Sequence, residues 1–220
     1  MTFSIVACDP ERDVYGVAVS TAVPAVGAMV PHVQPGVGAI ATQSFTNVAL
    51  GIDGLRLLAT GLSPEAALTA LLAEDPEAQR RQVAGVDSRG RTFAFSGDEC
   101  VGWYGSRQGE NYSVQGNMLV GQETVDAMAE AFERASGHLS ARLLEALAAG
   151  QAAGGDKRGR ESAALLVAPF GRERYSRIDI RVDYHDDPVA ELRRIGDLMA
   201  ERYREARAQA EQDRATQQGG

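Results

Sequence analysis

An α+β fold of antiparallel hairpins with helices set apart from them is what this sequence predicts, on three observations. Residues 3–8 and 14–21 are short runs rich in Val, Ile and small residues, separated by the turn-forming stretch Asp9-Pro10-Glu11-Arg12-Asp13, so they read as a hairpin. Residues 82–87 and 91–96 read as a second hairpin around Ser88-Arg89-Gly90. Strands and helices then follow in runs instead of alternating, which favours a layered α+β architecture over a doubly wound sheet. No Gly-x-Gly-x-x-Gly, phosphate-binding loop or His-Glu-x-x-His signature is present.

The remaining elements follow in order. Pro24, Gly27, Pro31, Pro35 and Gly36 punctuate a long irregular connection. Residues 37–44 form a third strand, whose Gly38, Ala39 and Ala41 let something pack closely. A short helix is expected over 53–59, ending at Gly61. Ser63 caps the next one, with Pro64 at its first position and Ala67, Leu68, Leu71 and Leu72 as its apolar stripe. A short strand is expected at 112–114. Helices over 123–135 and 140–149 carry Val125, Met128 and Phe132, then Leu143, Leu144 and Leu147, with Gly137 as the break. Residues 162–167 read as a buried strand, and 177–182 alternate as a half-buried one. Pro188 opens a last helix with Val189, Leu192, Ile195, Leu198 and Met199. One domain is expected over 1–208, with 209–220 a disordered polar tail.

A chain of 220 residues suits a single α/β-sized domain, and 44% hydrophobic with 24% charged residues is ordinary for a soluble globular protein. Its apolar stretches fall short of a membrane span. Residues 2–7 run straight into Asp9 and Glu11 with no basic leader, so a cytoplasmic protein is expected. Cys8 and Cys100 have no metal-ligand or disulfide spacing and read as core fillers. A net charge of −8 disfavours nucleic acid as a partner.

Thr2 is the first residue with chemical promise. A small second residue permits removal of Met1, which would give one residue both a hydroxyl nucleophile and an α-amine of pKa about 8 as its base. Threonine is also common at this position, and many β proteins open with a strand. His32, in the Pro/Gly-rich connection, can be a substrate contact or an ordinary loop histidine. Gln43, at the end of a strand, offers a carboxamide to an oxyanion or a substrate carbonyl. Asn47 does too, and equally suits a turn cap. Gln115-Gly116-Asn117 suits a tight turn or an oxyanion donor, which makes Asn117 a candidate.

The loop Gly154-Gly155-Asp156-Lys157-Arg158-Gly159-Arg160 is the strongest internal signal. Asp156 and Arg158 can bind a charged substrate group or tune a neighbouring amine, and Ser162-Ala163-Ala164 leaves room beside the following strand. Asp183, His185, Asp186 and Asp187 suggest a metal site less strongly than they suggest an acidic helix start capped by Asp187. No metal or cofactor is expected.

Several of these segments together resemble one bacterial family. They are the Met-Thr-Phe-Ser opening, Gly16-Val17-Ala18-Val19-Ser20, Gly36-Val37-Gly38-Ala39 to Ala41-Thr42-Gln43, Ser113-Val114-Gln115-Gly116-Asn117-Met118-Leu119, the Gly154-Gly155-Asp156-Lys157-Arg158-Gly159 loop and Asp187-Pro188-Val189-Ala190-Glu191-Leu192. The family is domain of unknown function 1028, within the N-terminal-nucleophile (Ntn) hydrolase superfamily. The resemblance implies a four-layer αββα sandwich and amide hydrolysis, with Thr2 as nucleophile and Ser20 near the place of its polar partner. Residues 169–172 depart from the family pattern. The expectation is therefore an amide hydrolase acting on a small amide, with an anionic one favoured, as a homodimer. The alternative is a non-catalytic protein that binds a small ligand on the same fold.

Overall fold

The computed structural model describes residues 2–169 and 177–218. Two antiparallel sheets face each other. The first has six strands in the order β10-β9-β2-β1-β8-β7. Its strands are β1 (Thr2–Asp9), β2 (Val14–Thr21), β7 (Trp103–Gly109), β8 (Tyr112–Leu119), β9 (Ser162–Ala168) and β10 (Ile178–Val182). The second has four, β3 (Pro31–Gln34), β4 (Gly38–Ser44), β5 (Arg81–Asp87) and β6 (Thr92–Ser96), in that order. Both expected hairpins form, with Thr2 opposite Thr21 in one and Gln82 opposite Ser96 in the other.

Helices cover the outer faces. α1 (Val48–Ala59) and α2 (Pro64–Glu74) pack on the four-stranded sheet, while α3 (Glu123–Arg134), α4 (Leu139–Ala152) and α5 (Pro188–Gln218) pack on the six-stranded one. Caps set where they begin. Ser63 accepts from Ala66 N, Asn47 accepts from Ala49 N, and Asp187 accepts from Ala190 N.

Three apolar clusters result. Phe3, Ile5, Ala18 and Leu165 meet Met128, Phe132, Leu143 and Leu147 on one side; Ile40 and Val83 meet Leu55, Leu58 and Leu68 on the other. Between the sheets, Val6, Val17 and Val19 pack on Ala39, Ala41, Ala84 and Val86. Each such Val or Leu, fully buried, contributes roughly 1.5–3 kcal/mol. Cys8 and Cys100 are both buried, and burial first of all pushes the Cys8 thiol up to about 12, so core filling is their role.

The structure differs from the sequence reading in length more than in kind. β3 and β7 were not expected. β8 runs through Leu119 instead of stopping near 114, and α1 begins at Val48 instead of 53. Helix α5 continues to Gln218, past the point where the polar tail was expected; its Ala, Glu, Gln and Arg residues are strong helix formers. No helix among the described residues is long and apolar enough to cross a membrane. Of the divergent stretch 169–172, residues 170–172 lie outside the described residues, as does Met1.

Candidate functional site

Thr2 heads β1, a strand flanked on both sides by neighbours, and is 6% exposed. Strand alternation sends Thr2, Ser4, Val6 and Cys8 toward the second sheet and Phe3, Ile5 and Ala7 toward the helices. Register then lays Ser162, Thr21, Thr2, Asn117 and Tyr104 in one row across five strands. The Thr2 and Thr21 hydroxyl oxygens lie 3.1 Å apart and share a hydrogen bond.

The space between the sheets at this end is filled by amides. Ser4 Oγ donates to Gln43 Oε1 at 2.7 Å and accepts from Gln115 Nε2 at 2.7 Å. Gln43 Nε2 donates to Gln82 Oε1 at 2.7 Å and, more weakly, to the Thr2 carbonyl at 3.4 Å. Gln82 Nε2 donates to the Gly116 carbonyl at 2.8 Å and to Ser96 Oγ. A backbone carbonyl can only accept, so Gln82 must turn its nitrogen there and its oxygen inward. Asn117 Nδ2 accordingly donates to Gln82 Oε1 at 2.9 Å, and Asn117 Oδ1 is left buried with no hydrogen-bond partner among the described residues. Such an acceptor costs about 1–3 kcal/mol unless something supplies an N–H or O–H.

The strands bend sharply at this end. Ser44 and Met118 both have positive φ, 67° and 52°, directly after Gln43 and Asn117. The shift in β7–β8 register beside Met118 marks a bulge, a device that re-aims side chains next to functional sites.

The loop after α4 closes the end. Asp156 pairs with Leu119 across an isolated bridge, and its Oδ2 accepts from Ala22 N at 3.1 Å. Ala22 and Leu119 extend the two strands beside β1, so Asp156 stands in the track that β1 would fill if it continued ahead of Thr2. Its side chain is 1% exposed, with Arg158 donating to Oδ1 from its backbone at 2.8 Å and to Oδ2 from its guanidinium at 3.2 Å. Gly154 and Gly155 permit this approach. Both have positive φ, and a Cβ on Gly154 would fall 2.6 Å from Val120 Cγ2, on Gly155 3.1 Å from Phe3 Cε1.

Of the residues singled out from sequence, the structure gathers Thr2, Gln43, Asn117, Asp156, Arg158 and Ser162 at this end. Ser162 is already committed, donating to the Val23 carbonyl at 2.6 Å and accepting from Val26 N at 3.1 Å. The room beside Ala164 is taken by the helical turn Val26–Ala28, since a Cβ on Gly27 would fall 2.8 Å from Ala164 Cβ. Ser20 is not the polar partner of Thr2. Alternation turns it to the helix side, opposite Phe3, and Thr21 makes the contact instead. His32 also faces away, since it is opposite Ile40 on the α1 side, and a Cβ on Gly51 would fall 2.1 Å from its ring. Burial lowers its pKa. Asn47 caps α1 and donates to Asp75 Oδ2 at 2.8 Å, the capping role.

The cationic cluster is largely spoken for. Arg160 pairs with Asp187 as Arg158 does with Asp156. His185 Nδ1 accepts from Asp187 N, and no group of three or more His, Cys, Asp or Glu side chains that could hold a metal occurs among the described residues. Two surface grooves, one at Asn47, Leu71 and Pro76 and one at Pro31, Gln34 and Ile52, do not include Thr2. Sequence reading missed Thr21, Ser4 and Gln82, and named Gln115 only within a motif read as a tight turn or an oxyanion donor. The available signal was a polar residue at every second place in strands otherwise too apolar to face water.

Fold and site together define a two-sheet antiparallel α+β protein with a buried hydroxyl–amide centre at the head of an inner strand. The chain belongs to DUF1028, a family of unknown function, whose model matches residues 2–192. It is similar to the crystal structure of protein SPO2555 from Silicibacter pomeroyi, also DUF1028, at 33% identity and a TM-score of 0.82, covering 89% of this chain and 88% of that one. A search of the curated proteins finds no match.

Proposed function

We propose that this protein is an N-terminal-nucleophile amide hydrolase in which Thr2 is the nucleophile once Met1 has been removed. The carrying observation is the place of Thr2: first residue of an inner strand, buried, its hydroxyl turned between two sheets and hydrogen-bonded to Thr21. The packing of α1 and α2 on one sheet and α3, α4 and α5 on the other supports the αββα sandwich of that superfamily.

In the proposed reaction the Thr2 amine takes the proton of Oγ1 as Oγ1 attacks the amide carbonyl carbon. The tetrahedral oxyanion is assigned to backbone N–H groups and to the second N–H of Asn117 Nδ2, the first being given to Gln82. Gln43, whose nitrogen already serves Gln82 and two carbonyls, positions the strand. Collapse expels the leaving amine, protonated by the Thr2 ammonium, and leaves an acyl ester on Oγ1. The Thr2 amine then deprotonates a water that attacks the ester, freeing the acid and restoring the hydroxyl. With Arg158 and Arg160 paired to carboxylates, a preference for an anionic amide rests on Lys157.

The test is a panel of small amides offered to protein whose intact mass shows Thr2 as first residue, with Thr2→Ala as control. Turnover that vanishes in the variant supports the reading; an active enzyme that retains Met1 overturns it. The slight exposure of Thr2, with both grooves elsewhere, favours the second reading of a non-catalytic ligand-binding protein. In that case a ligand-dependent rise in Tm survives Thr2→Ala and no amide is cleaved.

A further inference from the structure

We propose that Asp156 is a positioning residue that holds the α-ammonium of Thr2, with Asn117 Oδ1 as a second acceptor for the same group. The inference rests on the reading that Thr2 becomes the first residue. Two independent observations meet here. Asp156 occupies the β1 track ahead of Thr2, joined to Leu119 on one flank and to Ala22 on the other, and its carboxylate is buried. Asn117, directly opposite Thr2 in register and 1% exposed, keeps an acceptor oxygen without a partner among the described residues. A carboxylate has about four acceptor positions, and among the described residues three donors reach this one, from Ala22 N, Arg158 N and the Arg158 guanidinium. An ammonium brings three N–H groups and one positive charge. It is the donor these oxygens lack, and it arises at this place when Met1 leaves.

The charges around that position are few. β2, β8 and β4 contribute uncharged Thr21, Asn117 and Gln43, and α4 contributes Gln151. β5 contributes Arg81, which is held by Asp75 and Glu77. The loop itself supplies Asp156, its partner Arg158, Lys157, whose Nζ lies over Gly102, and Arg160, which is held by Asp187; Glu161, whose backbone N donates to the Thr21 carbonyl, follows it. Asp156 is therefore the carboxylate placed to favour the charged amine, while Arg158 opposes it.

The experiment reads the amine itself. Full-length protein cleaved from an N-terminal fusion to leave Thr2 first, checked by intact mass, is labelled with an amine-acylating reagent across pH, and the α-amine is followed by peptide mass. Asp156→Asn keeps the shape and loses the charge, so the midpoint of labelling should fall by about one pH unit or more. Arg158→Ala, which removes the competing cation, should raise it. Opposite shifts are not expected of a purely structural loop residue. An unchanged midpoint in both variants overturns the proposal, as does a shift of the same sign in both. If Asp156→Asn does not fold, the direction in Arg158→Ala decides. Because labelling needs no substrate, the shifts can appear in a protein that cleaves no amide, and their absence can accompany a Thr2-dependent hydrolase, so the two readings fail separately.

Discussion

The layer between the two sheets has two halves built by the same faces of the same strands, and their chemistry is opposite. Toward the β1–β2 turn, Val6, Cys8, Val17 and Val19 meet Ala39, Ala41, Ala84 and Val86. Toward the head of β1, Thr2, Ser4 and Thr21 meet Gln43 and Gln82, with Gln115 and Asn117 alongside. Both halves are buried. The apolar half is stabilised by area removed from water and tolerates imprecision. The amide half holds only while each donor meets an acceptor, since buried polar groups left unpaired are costly. A fold needing only stability has no use for the second half, and the cost of building it is the reason the proposed site is placed there.

Four substitutions probe that contrast, from the largest expected effect to the smallest. On the proposed reading, Thr2→Ala should lower kcat by on the order of 10⁴-fold while Tm changes little, because a buried nucleophile contributes more to chemistry than to packing. A variant with the activity of the parent places the chemistry elsewhere. Gln82→Met should destabilise by about 2–4 kcal/mol in urea unfolding, because Gln43 Nε2 and Asn117 Nδ2 lose their shared acceptor. Val6→Ala, in the apolar half, should cost about 2 kcal/mol at unchanged turnover. Were Gln82→Met harmless and Val6→Ala inactivating, the division into two halves would be wrong.

The smallest effect lies at the rim of the amide half, in the acid limb. Hydrogen bonding from Arg81 foremost, helped by Asn47 and opposed by burial, holds the Asp75 carboxyl down at about 2. A carboxyl lower in the folded than in the unfolded state contributes stability that is whole above about pH 4 and is lost as pH falls toward 2. Asp75→Asn should therefore be less stable at neutral pH and show a shallower loss of stability between pH 4 and pH 2. A parallel acid limb would show that Asp75 carries none of it.

Much of the fold was legible because its cues are local. Asp9-Pro10 and Ser88-Arg89-Gly90 write their turns, Ser63-Pro64 and Asp187-Pro188 write their caps, and Phe3, Ile5 and Ala7 alternate with Thr2, Ser4 and Val6. β3 was hidden because four residues opening on Pro31 carry almost no pattern. β7, Trp103–Gly109, was hidden because its half-exposed Gly, Ser, Arg and Gln do not read as a strand. β8 looked short because Gln115 and Asn117 resemble turn residues until the opposite sheet supplies their partners. Within the site, Thr2 and the Asp156 loop could be picked from sequence. Ser20 and His32 could not be excluded, because one step along a strand reverses the face, and only register tells which face meets which sheet.

Local order along the chain determined which segments become strands and helices, and that a hydroxyl residue heads the first strand. Which groups gather around that residue was decided by tertiary structure: Thr21, at its hydroxyl, comes from 19 residues away, Gln43, at its carbonyl, from 41, and Asn117, opposite it in register, from the far side of β1. Hydrogen bonding is short-ranged and directional, so its partners exist only once two sheets are stacked in one register, and that stacking is set by the apolar half of the same layer.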